Sequence, residues 1–210
     1  RPEVGITGAR LLFPDGTIQH AGVVLGMLGP AEHPGLGASH QEPGYLGRLH
    51  LDQDFSAVTG ACLLVRRSVY EEVGGLDETA FEVSYNDIDL CLKVRQLGYL
   101  VVWTPYATLM HEGSASQKNR KVEVLTQETK QKRFRDEQVR LYRKWLPQIA
   151  RDPAHNPNLT LRARAWEYET RPPLMWRPAS WRPLPVVLAH PADAMGCGHY
   201  RIIHPLHHLN

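Results

Sequence analysis

The sequence predicts an α/β fold, on three observations. Apolar runs of strand length alternate with short helical stretches between Thr59 and His111, glycines punctuate that alternation, and acidic and imidazole side chains fall where the elements end, the usual place for chemistry on such a scaffold. No apolar run approaches the roughly 18 residues needed to cross a bilayer, and no signal peptide is visible.

In chain order, Val4–Phe13 reads as a strand, Pro14-Asp15-Gly16-Thr17 as a turn and Ile18–Leu25 as the returning strand of a hairpin. Residues 26–47, rich in Gly, Pro and His without a regular period, predict a mobile surface loop. Nearby His20, His33 and His40 have no ligand spacing and read as solvated or capping imidazoles. Thr59–Val65 has the pattern of a strand buried on both faces, ended by Arg66 and Arg67. Ser68 and Glu71 suit a capping box over a short helix stopped by Gly74 and Gly75. Residues 76–85 remain as an acidic loop. Asn86 or Asp87 then caps a helix whose apolar face is Leu90, Val94 and Leu97, with Gly98 as its stop and Asp89 as a surface or capping group. Tyr99–Trp103 is a second apolar strand, whose continuation towards His111 is disturbed by Pro105.

Beyond Ser116 a charged stretch leads into a helix with Phe134, Leu141, Tyr142 and Trp145 on one face, read as core packing. Residues 151–185 are Pro-rich with Trp166, Trp176 and Trp181, the pattern of an extended linker pinned by its indoles. Residues 186–210 look like the start of a following domain. The chain opens on Arg1 rather than Met and enters a strand almost at once, as expected of a piece cut from a longer protein.

Composition narrows the function classes. In 210 residues, 24 Lys and Arg face 22 Asp and Glu, a formal charge of +2 that gives no basic signature for nucleic acid. Cys62, Cys91 and Cys197 are widely spaced and read as buried thiols, which fits a reducing cytoplasm better than a disulfide framework or zinc site. A metal-binding reading through His190, His199, His204, His207 and His208 lacks regular ligand spacing.

The motifs TGACLLVRR, GGLDE and NDIDLCLKVRQLGY, with the strand ending in His111, resemble the acceptor half of family-two inverting glycosyltransferases of the GT-A fold, of the kind that adds sugars to bacterial surface polysaccharides. GITGARLLFPDGTIQHAGVVLG is similar to the segment that precedes that half, so the resemblance covers Arg1 to Trp145. GCGHYRIIHPL in the tail resembles the first Gly loop of a GT-B glycosyltransferase.

The resemblance implies a partial GT-A (Rossmann-like) mixed sheet with flanking helices in residues 1–150, lacking the N-terminal nucleotide-binding half. It implies Asp87 as the base that deprotonates the acceptor hydroxyl, with Asn86 where the family usually has Glu. His111 matches a position that completes the coordination of a divalent cation, Mn or Mg, beside the nucleotide diphosphate. Gly60, Ala61, Asp77, Asn86, Lys118 and Arg120, with Lys121, are the expected substrate contacts. The family's nucleotide-binding Asp-x-Asp ends a buried strand, whereas Asp52-Gln53-Asp54 follows no apolar strand and is read as a decoy. The partners implied are a nucleotide sugar and a saccharide acceptor, without nucleic acid or a transmembrane segment, leaving peripheral membrane contact open. These residues alone are expected to be inactive. A rival reading is a binding or scaffold module that keeps the fold without catalysis. An exposed apolar edge where half a sheet is missing predicts self-association.

Overall fold

Alternating branched and small residues over Val4–Leu12 suit a strand, and this segment, β1, is the axis of a mixed sheet. The computed structural model describes residues 1–112, 127–164 and 166–170. The chain divides into two units, Arg1–Pro178 and Ala179–Asn210, and the described residues belong to the first. The remaining elements are β2 (Ile18–His20), β3 (Val24–Leu25), β4 (Ala31–Glu32), β5 (Gln53–Asp54), β6 (Leu63–Val65), α1 (Arg67–Glu72), α2 (Asn86–Gln96), β7 (Leu100–Met110) and α3 (Gln127–Ala150).

The sheet runs β2-β1-β7-β5, with β6 beside β1 on the β2 side, while β3 and β4 pair separately. β1 and β7 are parallel; β2, β5 and β6 run antiparallel to their neighbours. The expected hairpin forms: Phe13 N–H donates to the Thr17 carbonyl at 2.8 Å, and Asp15 Oδ1 accepts from the Thr17 amide at 2.9 Å. Its second strand stops at His20, earlier than predicted, where Gly22 adopts φ 93° and a side chain would collide with the Phe55 ring. β7 extends to Met110, past the predicted end at Trp103, but jumps register from Thr104 to Thr108 opposite Ala9 and Arg10. Pro105 lies in that bulge, the position open to a residue without an amide proton.

One face of the sheet carries the core. Ile6, Val101 and Trp103 are fully buried, together with Leu90, Cys91 and Val94 of α2. Gly5 and Gly8 lie so close to Val94 and Val58 that a Cβ would overlap both. Among the described residues none covers the opposite face. Leu64, Thr7 and Val102 form a cross-strand row, and Leu64 is 75% exposed beside a groove of about 690 Å³. The expectation of a strand buried on both faces over Thr59–Val65 is therefore corrected: the strand is only Leu63–Val65, preceded by the Cys62 carbonyl accepting from the Ala9 amide at 3.4 Å, because the chain at Gly60 turns to meet Asp87 of α2, and no described residue covers one of its faces.

The capping box does not form either. α1 starts at Arg67, ahead of Ser68, without a side-chain cap, and Glu71 pairs with Arg67 at 2.8 Å. In α2, Leu90 and Val94 are buried as predicted, whereas Leu97 is half exposed. Asp89 is fully buried rather than on the surface: its Oδ1 accepts from Trp145 Nε1 at 2.7 Å and Lys144 Nζ at 2.8 Å. On α3, Leu141 and Trp145 are core residues as read, but Phe134 is 47% exposed and lies against Tyr85 with ring centroids 5.5 Å apart. The helix bends at Trp145, two residues before Pro147, whose ring is incompatible with a regular turn behind it.

Residues 26–47 are not free. Leu25 and Met27 are buried, the Leu28 amide donates to Leu161 O and the Gly35 amide to Arg164 O, both at about 2.8–2.9 Å. Residues 151–170, expected as extended linker, pack along this loop, with Trp166 against Gly35 and Gly44. Buried Asp152 anchors them, accepting from the Leu25 amide at 2.7 Å, the Ala154 amide at 2.8 Å and the Ser56 hydroxyl. Burial pushes its carboxyl above the usual range, against the pull of those bonds.

The acidic loop owes its shape to α3. Glu137, fully buried, accepts backbone N–H bonds from Glu82 (3.1 Å), Val83 (3.2 Å) and Ser84 (2.7 Å). Replacing Glu137 by Ala leaves three amide donors without their charged acceptor. The expected loss is about 3 kcal/mol of stability, read as a lower urea midpoint with an unchanged slope; an unaltered midpoint would refute this role.

Candidate active site

α2 and β7 bring Asp87 and His111 towards the carboxyl end of the parallel pair β1 and β7, where ligands of open α/β sheets bind. The entry to α2 is sharp: Tyr85 sits in the left-handed region at φ 65°, its carbonyl accepts the first helical bond from Asp89, and Asn86 is the first helical residue. The predicted side-chain cap is absent. Instead the half-buried Asp87 carboxylate spans two elements, with Oδ1 accepting from the Ile88 amide at 2.8 Å and Oδ2 from the Gly60 amide at 2.8 Å. Gly60 eases that approach, since a Cβ there would lie a tight 3.2 Å from that of Asp87. Gly60 and Ala61, expected as substrate contacts, are both exposed beside the aspartate.

His111 is held by Gln19. The Gln19 amide nitrogen donates to His111 O at 3.2 Å, so its carbonyl oxygen faces His111 Nδ1 at 2.7 Å and accepts the ring proton. The free lone pair of the neutral ring is then on Nε2.

Gln19 and His20 leave β2 on opposite sides, as strand neighbours must. His20 is 1% exposed, and its Nδ1 lies 2.9 Å from Nδ1 of His33, while its Nε2 accepts from the Thr59 amide at 3.4 Å. Solvated or capping imidazoles were expected at both positions; the fold instead buries His20 and leaves His33 half-buried against it. His40 is exposed and meets Gly16 O at 3.2 Å, as a capping imidazole would. Burial holds the His20 imidazole well below its ordinary range, helped by His33. Burial also lowers His33, against the upward pull of Glu32 and Asp87.

Asp77, an expected substrate contact, is engaged within the fold. Its Oδ1 accepts from the Ala80 amide at 3.0 Å and its Oδ2 pairs with Lys144 at 3.1 Å; these bonds lower its carboxyl. Lys144, drawn down by burial, is raised overall by Asp89 and Asp77. Asp54 is likewise taken, pairing with Arg95 at 2.6 and 3.1 Å, and Asp52 is exposed beside it. Buried Cys91 is pushed up to about 12 and is an inert thiol, as expected; Cys62 is half buried. Lys118, Arg120, Lys121, Cys197, Trp176, Trp181, the five C-terminal histidines and the tail motif lie outside the described residues. Among the described residues no group of three or more His, Cys, Asp or Glu side chains is arranged to hold a metal, and no helix is long and apolar enough to cross a membrane. Sequence reasoning missed Gln19, the His20–His33 pair and Glu137. The one local signal was strand alternation, which sends Gln19 and His20 to opposite sides.

Comparison with known proteins adds a direction. Uncharacterized protein y4gI of Sinorhizobium fredii is 50% identical over 161 residues, 77% of this chain and 17% of that protein. O-antigen biosynthesis protein RfbC of Myxococcus xanthus is 39% identical over 166 residues, 78% of this chain and 12% of that protein. The N-acetylglucosaminyl-diphospho-decaprenol L-rhamnosyltransferase of Mycobacterium tuberculosis is 32% identical over 127 residues, 55% of this chain and 39% of that protein. The chain is similar to proteins of O-antigen synthesis and rhamnosyl transfer. It spans well under half the length of each. No protein-family profile and no solved structure matches it.

Buried His20 and the half-buried His33 and His155 give a pH dependence of definite sign. His20, His33 and His155 are all held below 6.5 by burial, so as pH falls the unfolded chain takes up protons first. Their contribution to stability is present above about pH 6.5 and is lost as pH falls through the lowered values. Asp152, raised by burial, carries the opposite sign and makes the net loss smaller. The urea midpoint is expected to drop between about pH 7.5 and about pH 5.5; a flat or rising midpoint would contradict the burial of neutral rings.

Proposed function

We propose that the chain is the acceptor-side half of a family-two inverting glycosyltransferase of GT-A fold, which moves a sugar from a nucleotide-sugar donor to a saccharide acceptor in bacterial surface polysaccharide synthesis in the cytoplasm. One observation carries the reading: a half-exposed aspartate stands at the first turn of α2, with each carboxylate oxygen held by one backbone amide. The similarity to a rhamnosyltransferase and an O-antigen biosynthesis protein supports the substrate class.

In the proposed reaction Asp87 accepts the proton of an acceptor hydroxyl as that oxygen attacks the anomeric carbon. The bond from that carbon to the diphosphate oxygen breaks on the opposite face, the nucleoside diphosphate leaves with the electron pair, and configuration inverts. Each Asp87 oxygen spends one lone pair on an amide and keeps one for the hydroxyl. A divalent cation, when bound, would offset charge on the leaving diphosphate. His111 Nε2 fits such an ion as a single ligand, the other ligands coming from diphosphate oxygens, water and groups outside the described residues. Asn86, Ala61 and Gly60 border the acceptor, and Lys118 and Arg120 are assigned to phosphate contact. The Gly-loop tail is read as the start of a GT-B-like domain.

The test is turnover of UDP-, GDP- and dTDP-sugars in Mn²⁺ by a chain extended upstream. Asp87→Asn keeps an oxygen for Gly60 but loses the base, so it should cost at least about 100-fold in kcat while leaving thermal unfolding in place. The short chain should bind these donors weakly or not at all. Silence of the extended chain towards all donors and acceptors would favour the scaffold reading, which the Asn86 substitution supports.

The open sheet face supports self-association. Arg66 lies at the β6 edge and Asp52 at the β5 edge of the same groove, so two copies related by an axis along the strands would pair opposite charges over their apolar rows. Light scattering should report concentration-dependent dimers that Leu64→Glu abolishes; a monomer at high concentration would refute this.

A further inference from the structure

We propose that the pair formed by buried His20 and half-buried His33 is a positioning device for Asp87, acting through the turn at Thr59-Gly60. This rests on the reading of Asp87 as the base. The connection is continuous: Gly60 N–H holds Asp87 Oδ2 at 2.8 Å, the preceding residue Thr59 gives its N–H to His20 Nε2 at 3.4 Å, and His20 Nδ1 meets His33 Nδ1 at 2.9 Å.

The donors and acceptors allow one proton arrangement. Thr59 N–H can only donate, so His20 Nε2 must carry a lone pair and, in a neutral ring, the proton is on Nδ1. That proton points at His33 Nδ1, which must therefore accept, leaving the His33 proton on Nε2. The order runs from the Thr59 amide through His20 to His33. Adding a proton to either ring sets two N–H groups against each other across 2.9 Å or deprives the Thr59 amide of its acceptor.

The surroundings reinforce this order. The rings meet edge to face with centroids 5.0 Å apart, and His20 is 1% exposed, so water cannot replace a lost partner there. The charged groups facing the pair are Glu32, whose Oε1 accepts from the His33 amide at 2.8 Å, Arg164, which pairs with Glu32 at 2.9 Å, and Asp87 itself. No ligand need contact either ring. The pair sets where the Thr59-Gly60 turn lies, and the turn sets the direction of the Asp87 carboxylate.

The test uses the whole 210-residue chain with ¹⁵N label. Long-range ¹H–¹⁵N correlation at about pH 7.5 is expected to show His20 protonated on Nδ1 and His33 on Nε2. In His20→Phe the Gly60 amide proton should lose the downfield shift of a carboxylate-bound donor and exchange at least about tenfold faster, while amides around Leu141 and Trp145 keep their shifts. Asp87→Asn, conversely, should leave both tautomers as they are. A His20 ring protonated on Nε2, a charged ring at that pH, or a Gly60 amide indifferent to His20→Phe would overturn the proposal. Should His20→Phe fail to fold, the wild-type chain decides: the Gly60 amide shift must move in step with imidazole titration, and a Gly60 signal that ignores it sinks the idea. Because none of these readouts is turnover, a failure of Asp87 as the base would appear separately, as an extended Asp87→Asn chain of full activity.

Discussion

The geometry of the site depends on a buried carboxylate that never reaches it. Glu137 of α3 collects the amides of Glu82, Val83 and Ser84, three consecutive donors that no helix or strand uses. A carboxylate with no exposure is costly unless its lone pairs are filled, and an acidic loop would not fold back on itself unaided. Each problem solves the other. The next residue, Tyr85, stacks on Phe134 of the same helix and turns the chain through its left-handed conformation into α2. Asp87 follows two residues later, so its place is set by a helix beginning 40 residues further along the chain.

A second buried carboxylate completes the clamp. Asp89, two residues beyond Asp87, receives Trp145 Nε1 and Lys144 Nζ, and Lys144 also reaches Asp77 at the start of the loop. α3 therefore holds the segment from Asp77 to Asp89 at its beginning, middle and end. The bend at Trp145 is part of this arrangement, because it lies at the residue whose indole enters the core against Asp89. The stripe of apolar residues on α3 supplies burial, while its interspersed polar residues supply register.

What the sequence made legible follows from locality. The hairpin, α2 and the apolar strand β7 are written in short-range periods and stop signals, and the residue types at Asp87 and His111 stand at element ends where such periods break. Strand limits were less legible at Thr59–Val65, since apolar composition does not say which residues will turn away to meet another element. The buried polar groups were not legible at all. Glu137, Asp89 and Asp152 find partners 53 to 127 positions away, and a carboxylate read without its partner looks like surface. The same holds for His20, a ring that looks solvated in the sequence until His33 and the Thr59 amide are seen to close around it.

A proton acceptor in group transfer works best when its free lone pairs point where the hydroxyl will stand before the hydroxyl arrives. In the proposed reaction Asp87 approaches that condition from two directions that share no residues. Behind it, the helix start is fixed by α3 through Glu137 and Asp89; in front, its carboxylate is fixed by Gly60, whose own position derives from the Thr59 turn. Either restraint alone leaves one rotation open: a fixed backbone still permits χ1 and χ2 to turn, and a fixed amide can be followed by a shifting helix. Together they leave the carboxylate one orientation, which explains why so many of the costly buried polar groups in this fold converge on the residues around a single half-exposed aspartate.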